Sequence, residues 1–222
     1  MHKKMKLVAG ISALALSLSV TSVTTIVFAA TDTDTVNLQV EVNSNLSLDC
    51  GGSGTDPDVD FSTVTADTPV VGGSTCSVLT NHEEGYDLFV DRTANGDTSV
   101  LKHTDNTTYI SDLTAWNGSN SAAWDNGTTK GLGFRVEEVS GATKNNTWWG
   151  TSTDCTVAED ADALFAGIPQ NPDTTTPIPV MDHDGYSVGA TTTTICYKLD
   201  VAATQKSGVY AGNITYTAIG KP

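Results

Sequence analysis

Three groups of residues have the types and spacing to do chemistry. Asp56, Asp58 and Asp60 recur at every second position, like the first ligands of a calcium loop. That loop also needs Gly at its sixth position and Glu at its twelfth, where this chain has Phe61 and Asp67. An EF-hand is excluded. An irregular calcium site is the one cofactor the spacing leaves open, beside the plainer reading of a solvated acidic edge. Trp116, Trp124, Trp148 and Trp149 lie in Asn- and Gly-rich surroundings, where exposed indole faces could stack on sugar rings. The competing reading is burial under loops. Read as strand neighbours, Trp148 and Trp149 point to opposite faces, so at most one enters the core. Cys50, Cys76, Cys155 and Cys196 lack the close Cys-x-x-Cys spacing of a zinc site and are read as disulfides. Three pairings exist. Spacing favours Cys50 with Cys76 and Cys155 with Cys196, which would close 26 and 41 positions. Chain entropy makes each worth roughly 3.5 to 4 kcal/mol.

Other chemistries find no residues to carry them. There is no Gly-x-Ser-x-Gly elbow and no Gly-rich phosphate loop. With 26 acidic residues, no single carboxylate pair is informative as a glycosidase signature. His82, Glu83, Glu84, His183 and Asp184 lack transition-metal spacing and read as loop surface. No catalytic residue is assigned, and no enzyme is expected.

The elements that must position these residues follow from composition. The chain has 222 residues, 35 of them Thr, and a net charge of −15. Such a charge repels phosphate, so no nucleic-acid partner is expected. Thr favours strands and Asp and Asn favour turns, while the helix formers Glu, Lys and Arg are scarce. Residues 1–29 have the form of a secretory signal, with Lys3, Lys4 and Lys6 before an apolar stretch and a small-x-small site at Val27-Phe28-Ala29. The remainder, 30–222, is expected to be one secreted domain with no membrane span after signal removal.

Alternation marks the strands. Val36, Leu38, Val40 and Val42 form the first such run, continued by Leu46, Leu48 and Cys50. Val59 and Phe61 begin a second. Cys76, Val78 and Thr80 share one face; so do Tyr86, Leu88 and Val90, and Leu132, Phe134 and Val136. Residues 92–130 read as hairpins with long loops, Trp148-Trp149 as a short strand, and Ala158–Ala166 as a helical turn. Ile195, Tyr197, Leu199 and Val201, then Tyr210, Ile214 and Tyr216, give two closing strands with Gly208 between them. The fold class expected is all-β: a single antiparallel β-sandwich with long loops, stapled by disulfides.

Two stretches carry a family resemblance: Gly85-Tyr86-Asp87-Leu88-Phe89-Val90, and the ending Ser207-Gly208-Val209-Tyr210-Ala211-Gly212-Asn213-Ile214-Thr215-Tyr216-Thr217-Ala218. Their layout resembles the WxL domains of bacterial cell surfaces, with signature tripeptides at Tyr86-Asp87-Leu88 and Tyr216-Thr217-Ala218. Tyr stands for both tryptophans and Ala218 for the last Leu. The cysteines also suit secreted sandwiches of the spore-coat-U and fimbrial type. The resemblance implies a non-enzymatic surface sandwich attached non-covalently to the envelope, with Tyr86 and Tyr216 as candidate ligand contacts. Its partners would be a cell-wall polymer, other surface proteins or further copies of itself. The alternative function is a carbohydrate-binding module using the tryptophans, with or without calcium.

Overall fold

Val, Ile, Thr and aromatic residues at period two make long strands, and Gly-, Asn- and Asp-rich stretches separate them. The computed structural model describes residues 38–51, 59–92, 99–155, 160–170 and 178–222. The expected signal, 1–29, and the candidate calcium ligands Asp56 and Asp58 lie outside the described residues. The chain divides into two units, Met1–Glu41 and Val42–Pro222; of the first, only residues 38–41 are described.

The second unit is all-β. One antiparallel sheet is built from β1 (Leu46–Asp49), β2 (Val70–Thr80), β10 (Thr191–Asp200) and β7 (Gly131–Ser140), in that order. A second sheet has β12 (Ile214–Gly220), β3 (Tyr86–Arg92) and β9 (Met181–His183), in that order. Short ladders join β4 (Leu101–His103) to β5 (Tyr109–Ile110) and β11 (Tyr210–Ala211), and β6 (Ala122–Ala123) to β8 (Leu164–Phe165). The single helix among the described residues is α1 (Asn146–Trp149).

The main core lies between the two larger sheets. Val78, Leu88, Phe134, Ile195 and Leu199 are buried there, each on the face its alternation predicts. β7 and β10 are covered on their other face as well. There Trp124, Phe165, Ala163 and Cys196 make a second cluster, and the Lys198 ammonium lies 5.4 Å from the Trp124 ring centre. Arg135, fully buried beside them, donates to the carbonyls of Ser152 and Asp154. The disulfides pair as expected, Cys50 with Cys76 on β2 and Cys155 with Cys196 on β10.

Five local expectations are corrected. Leu38, Val40 and Val42 are 93%, 85% and 75% exposed and belong to no strand. Alternation alone does not make a strand; an edge must be available. β2 ends at Thr80, opposite Leu46; Asn81 just beyond it still bonds Asn45 and Asn43, and the chain then turns, so the ladder does not extend to Val42. Val59 and Phe61 pack from an irregular segment, and the strand begins only at Val70. Trp148 and Trp149 form the helical turn α1, because Asn145 caps it by accepting from Thr147 and Trp148 N–H, and Gly150 ends it. Gly150 sits at φ +73, where a Cβ would fall 1.7 Å from the Asp162 carbonyl oxygen. The described part of Ala158–Ala166 is a turn leading into β8, which pairs with β6 rather than coiling. The expected last strand through Tyr210, Ile214 and Tyr216 is two strands in different sheets: β11 pairs with β4, and β12 crosses to pair with β3.

Candidate functional site

On the β12 side of the sandwich the layers leave a groove of about 590 Å³. One wall is Tyr197 of β10 and Ser74 of β2, with Cys50 beside them; the other is Ile214 and Tyr216 of β12. Leu101 of β4 and Leu132 of β7 also line it. Each wall follows from local sequence. In β12, Ile214, Tyr216 and Ala218 turn inward and Thr215, Thr217 and Ile219 outward. Tyr197 sits on the apolar face of β10 with Ile195 and Leu199.

The remaining wall, Val59 and Phe61, is held by a clamp. The Asp67 N–H donates to the Val201 carbonyl, and the Lys130 ammonium bridges Asp67 at 2.8 Å and the buried Asp200 at 2.7 Å. This ties the segment leading into β2 to the end of β10. At the mouth, Gly212 passes so close to Val100 that a Cβ would lie 1.9 Å from its carbonyl oxygen. Only glycine lets the turn between β11 and β12 reach this wall.

A chain of hydroxyls crosses the groove. Ser74 Oγ lies 3.2 Å from Tyr197 Oη, which is hydrogen-bonded in turn to Tyr216 Oη. Burial pushes both tyrosines up from the ordinary phenol value, Tyr216 well above it. Both are therefore neutral at physiological pH. Behind Val100, Asp112 accepts from the Val100 N–H at 3.1 Å and lies 3.6 Å from the Arg92 guanidinium. Burial pushes its carboxyl up to about 6, outweighing that hydrogen bond and the nearby Arg92 charge. The described lining residues carry no formal charge. The groove is chemically an apolar slot with a few hydrogen-bonding groups, suited to aliphatic or aromatic side chains.

The structure scatters the other candidates. Trp116, Trp124 and Trp149 are buried and Trp148 half-buried. Trp116 packs on both residues of the pair, at ring distances of 5.5 Å from Trp148 and 4.6 Å from Trp149. The Trp116 and Trp149 indole N–H groups donate to the carbonyls of Pro179 and Val180. They fill the β7/β9 side of the sandwich and form no exposed stacking platform. Tyr86 is buried opposite His183, their rings 5.4 Å apart, so only Tyr216 of the tyrosine pair reaches the groove. Asp60 is exposed and accepts from the Ser62 N–H. Among the described residues no group of three metal-ligating side chains converges.

Sequence reasoning did not find Ser74, Leu101, Val59 and Phe61 as site residues. They come from three separate segments, and nothing local to any of them signals a shared groove. No protein-family model matches the chain, and no curated protein matches it at a significant level. Among the described residues no helix is long and apolar enough to cross a membrane.

Proposed function

We propose that this is a non-enzymatic, secreted cell-surface protein, a structural or adhesive subunit held to the envelope by non-covalent contacts. The observation that carries the reading is the exposed run Leu38, Val40 and Val42, three apolar side chains at period two outside the core. Apolar residues scattered singly on a surface need no explanation, but an alternating run has the pattern of a strand awaiting a sheet edge. Two disulfides that staple the sandwich fit an oxidising compartment. The resemblance in layout to WxL-type surface domains points the same way.

Fractionation of the producing cells tests the reading. A surface subunit is recovered with envelope or high-mass material and is released by denaturant without proteolysis. Recovery solely as a free monomer in the medium would overturn it.

A further inference from the structure

The groove has fixed walls, an uncharged described lining and hydroxyls with spare acceptor sites. We infer that it is a binding site for a small uncharged ligand, an apolar alcohol or phenol whose hydroxyl joins the chain of Ser74, Tyr197 and Tyr216. This goes beyond the reading of the protein as a surface subunit and does not depend on it.

Shape selects a compact molecule. The volume of about 590 Å³ falls within the roughly 300–1,000 Å³ of small-molecule sites. β12 is paired to β3 and also lies against β1, so an extended chain finds no free strand edge there. The walls are tied down without any ligand. Cys50 is bonded to Cys76, and the Asp67 N–H and the Lys130 bridge hold the segment that carries Val59 and Phe61. A site already in place loses little affinity to ordering itself.

Charge selects a neutral molecule. The Lys130 ammonium of the clamp is taken by Asp67 and Asp200, and the described lining has no formal charge. A carboxylate or phosphate would meet no described cation in the groove and a net chain charge of −15 around it. An ammonium would leave water for a slot whose described lining has no carboxylate to pair with it. Phe61, Leu101, Leu132 and Ile214 instead offer apolar surface to a ring or a hydrocarbon chain.

The hydroxyls select the ligand's polar group. All three residues that bear them line the groove. Each hydroxyl brings one donor and two acceptor sites. Their protons, bonded among themselves, fill at most about half of those acceptor sites, so acceptors stay unused whichever way the protons point. Burial keeps both phenols protonated, so none of the three oxygens is an anion. Tyr197 is 3% exposed, and its spare acceptor is largely withheld from bulk water. A ligand hydroxyl donates into such a set and accepts from it in turn, whereas an ether or ketone only accepts.

The test is equilibrium dialysis of the secreted protein at neutral pH against four probes built on one ring system: 2-naphthol, naphthalene, 2-naphthoate and protonated 2-naphthylmethylamine. 2-Naphthol should bind saturably, one per chain, and about fivefold to tenfold more tightly than naphthalene, the preference one good hydrogen bond gives. Both charged probes should bind at least about tenfold more weakly than 2-naphthol. Tyr216→Phe should cut the preference for 2-naphthol over naphthalene at least about threefold and leave naphthalene binding unchanged. Ser74→Ala should shift the same ratio in the same direction, and it decides the matter should Tyr216→Phe fail to melt cooperatively. Absence of saturable 2-naphthol binding overturns the inference. So does any of the other probes binding as tightly as 2-naphthol, or a ratio unchanged in every variant that folds.

Discussion

On the β7/β9 margin the space between the layers is filled by Trp116, Trp149 and Phe134, whereas on the β12 margin the described residues leave a groove of about 590 Å³. The same pair of sheets bounds both. The difference lies in what the connections supply. The Trp116 loop and α1 deliver large rings, and the chain before β9 offers the carbonyls of Pro179 and Val180 for their indole N–H groups. The turn before β12 offers only Ala211, Gly212 and Asn213. A sandwich margin is thus closed by volume brought from loops, and alternation in the strands does not settle whether it will be.

The filled margin should be the more sensitive to truncation. Trp149→Ala removes a fully buried ring that packs on both Trp116 and Phe134, and should cost about 3–5 kcal/mol, read as a fall in the urea midpoint. If the loss is under a third of that, the filled margin is no better packed than the open one. Replacing both Cys50 and Cys76 with Ala frees a 26-position loop at the open side and should cost about 3.5 kcal/mol in the same assay.

Asp112, behind the groove wall, predicts a pH dependence. Its folded value of about 6 is above the roughly 3.9 of an unfolded chain. Between these values the folded state holds the proton and the unfolded state releases it. This residue's contribution to stability should therefore fall as pH rises from about 4 to about 6, by on the order of 2–3 kcal/mol, and stay low above. Asp112→Asn keeps an acceptor for the Val100 N–H and removes the titration. The difference between wild-type and variant melting curves across that window isolates the effect, and parallel curves would refute it. The smallest change is Tyr216→Phe, which leaves the groove apolar and removes one link of the hydroxyl chain. A cost of about 1 kcal/mol is expected. A cost like that of Trp149→Ala would mean the open side is held by polar contacts rather than lightly packed.

How far the sequence discloses this arrangement depends on the kind of signal. Cys76-Val78-Thr80, Tyr86-Leu88-Val90 and the β7 and β10 runs are legible because one face is buried, so their period is enforced by water exclusion. The same period at Leu38–Val42 is misleading, since pairing depends on where β2 ends, thirty-eight positions after Val42. Trp148-Trp149 is ambiguous because one capped turn overrides the strand preference of two aromatic residues. Tyr216 is identifiable as an inward residue of a strand. Its meeting with Tyr197 and Ser74 depends on β12 crossing to the other layer, which no local pattern encodes.

The position of Cys50 has a mechanical consequence. Tension on the chain ahead of Val42 meets the bonds of Asn43 and Asn45 to Asn81 and then β1, which faces β2 at four pairs. Once these open, the freed stretch from Val42 to Cys50 spans at most about 29 Å when fully extended, and since Leu46–Asp49 is already a strand the length gained is a small part of that. The next link is covalent. Through it the load enters β2 at Cys76, a strand paired on its far side with β10 through nine facing positions. The bond therefore acts as a stop: extension is short, and beyond it force is shared by the middle of the sheet rather than peeled from its rim.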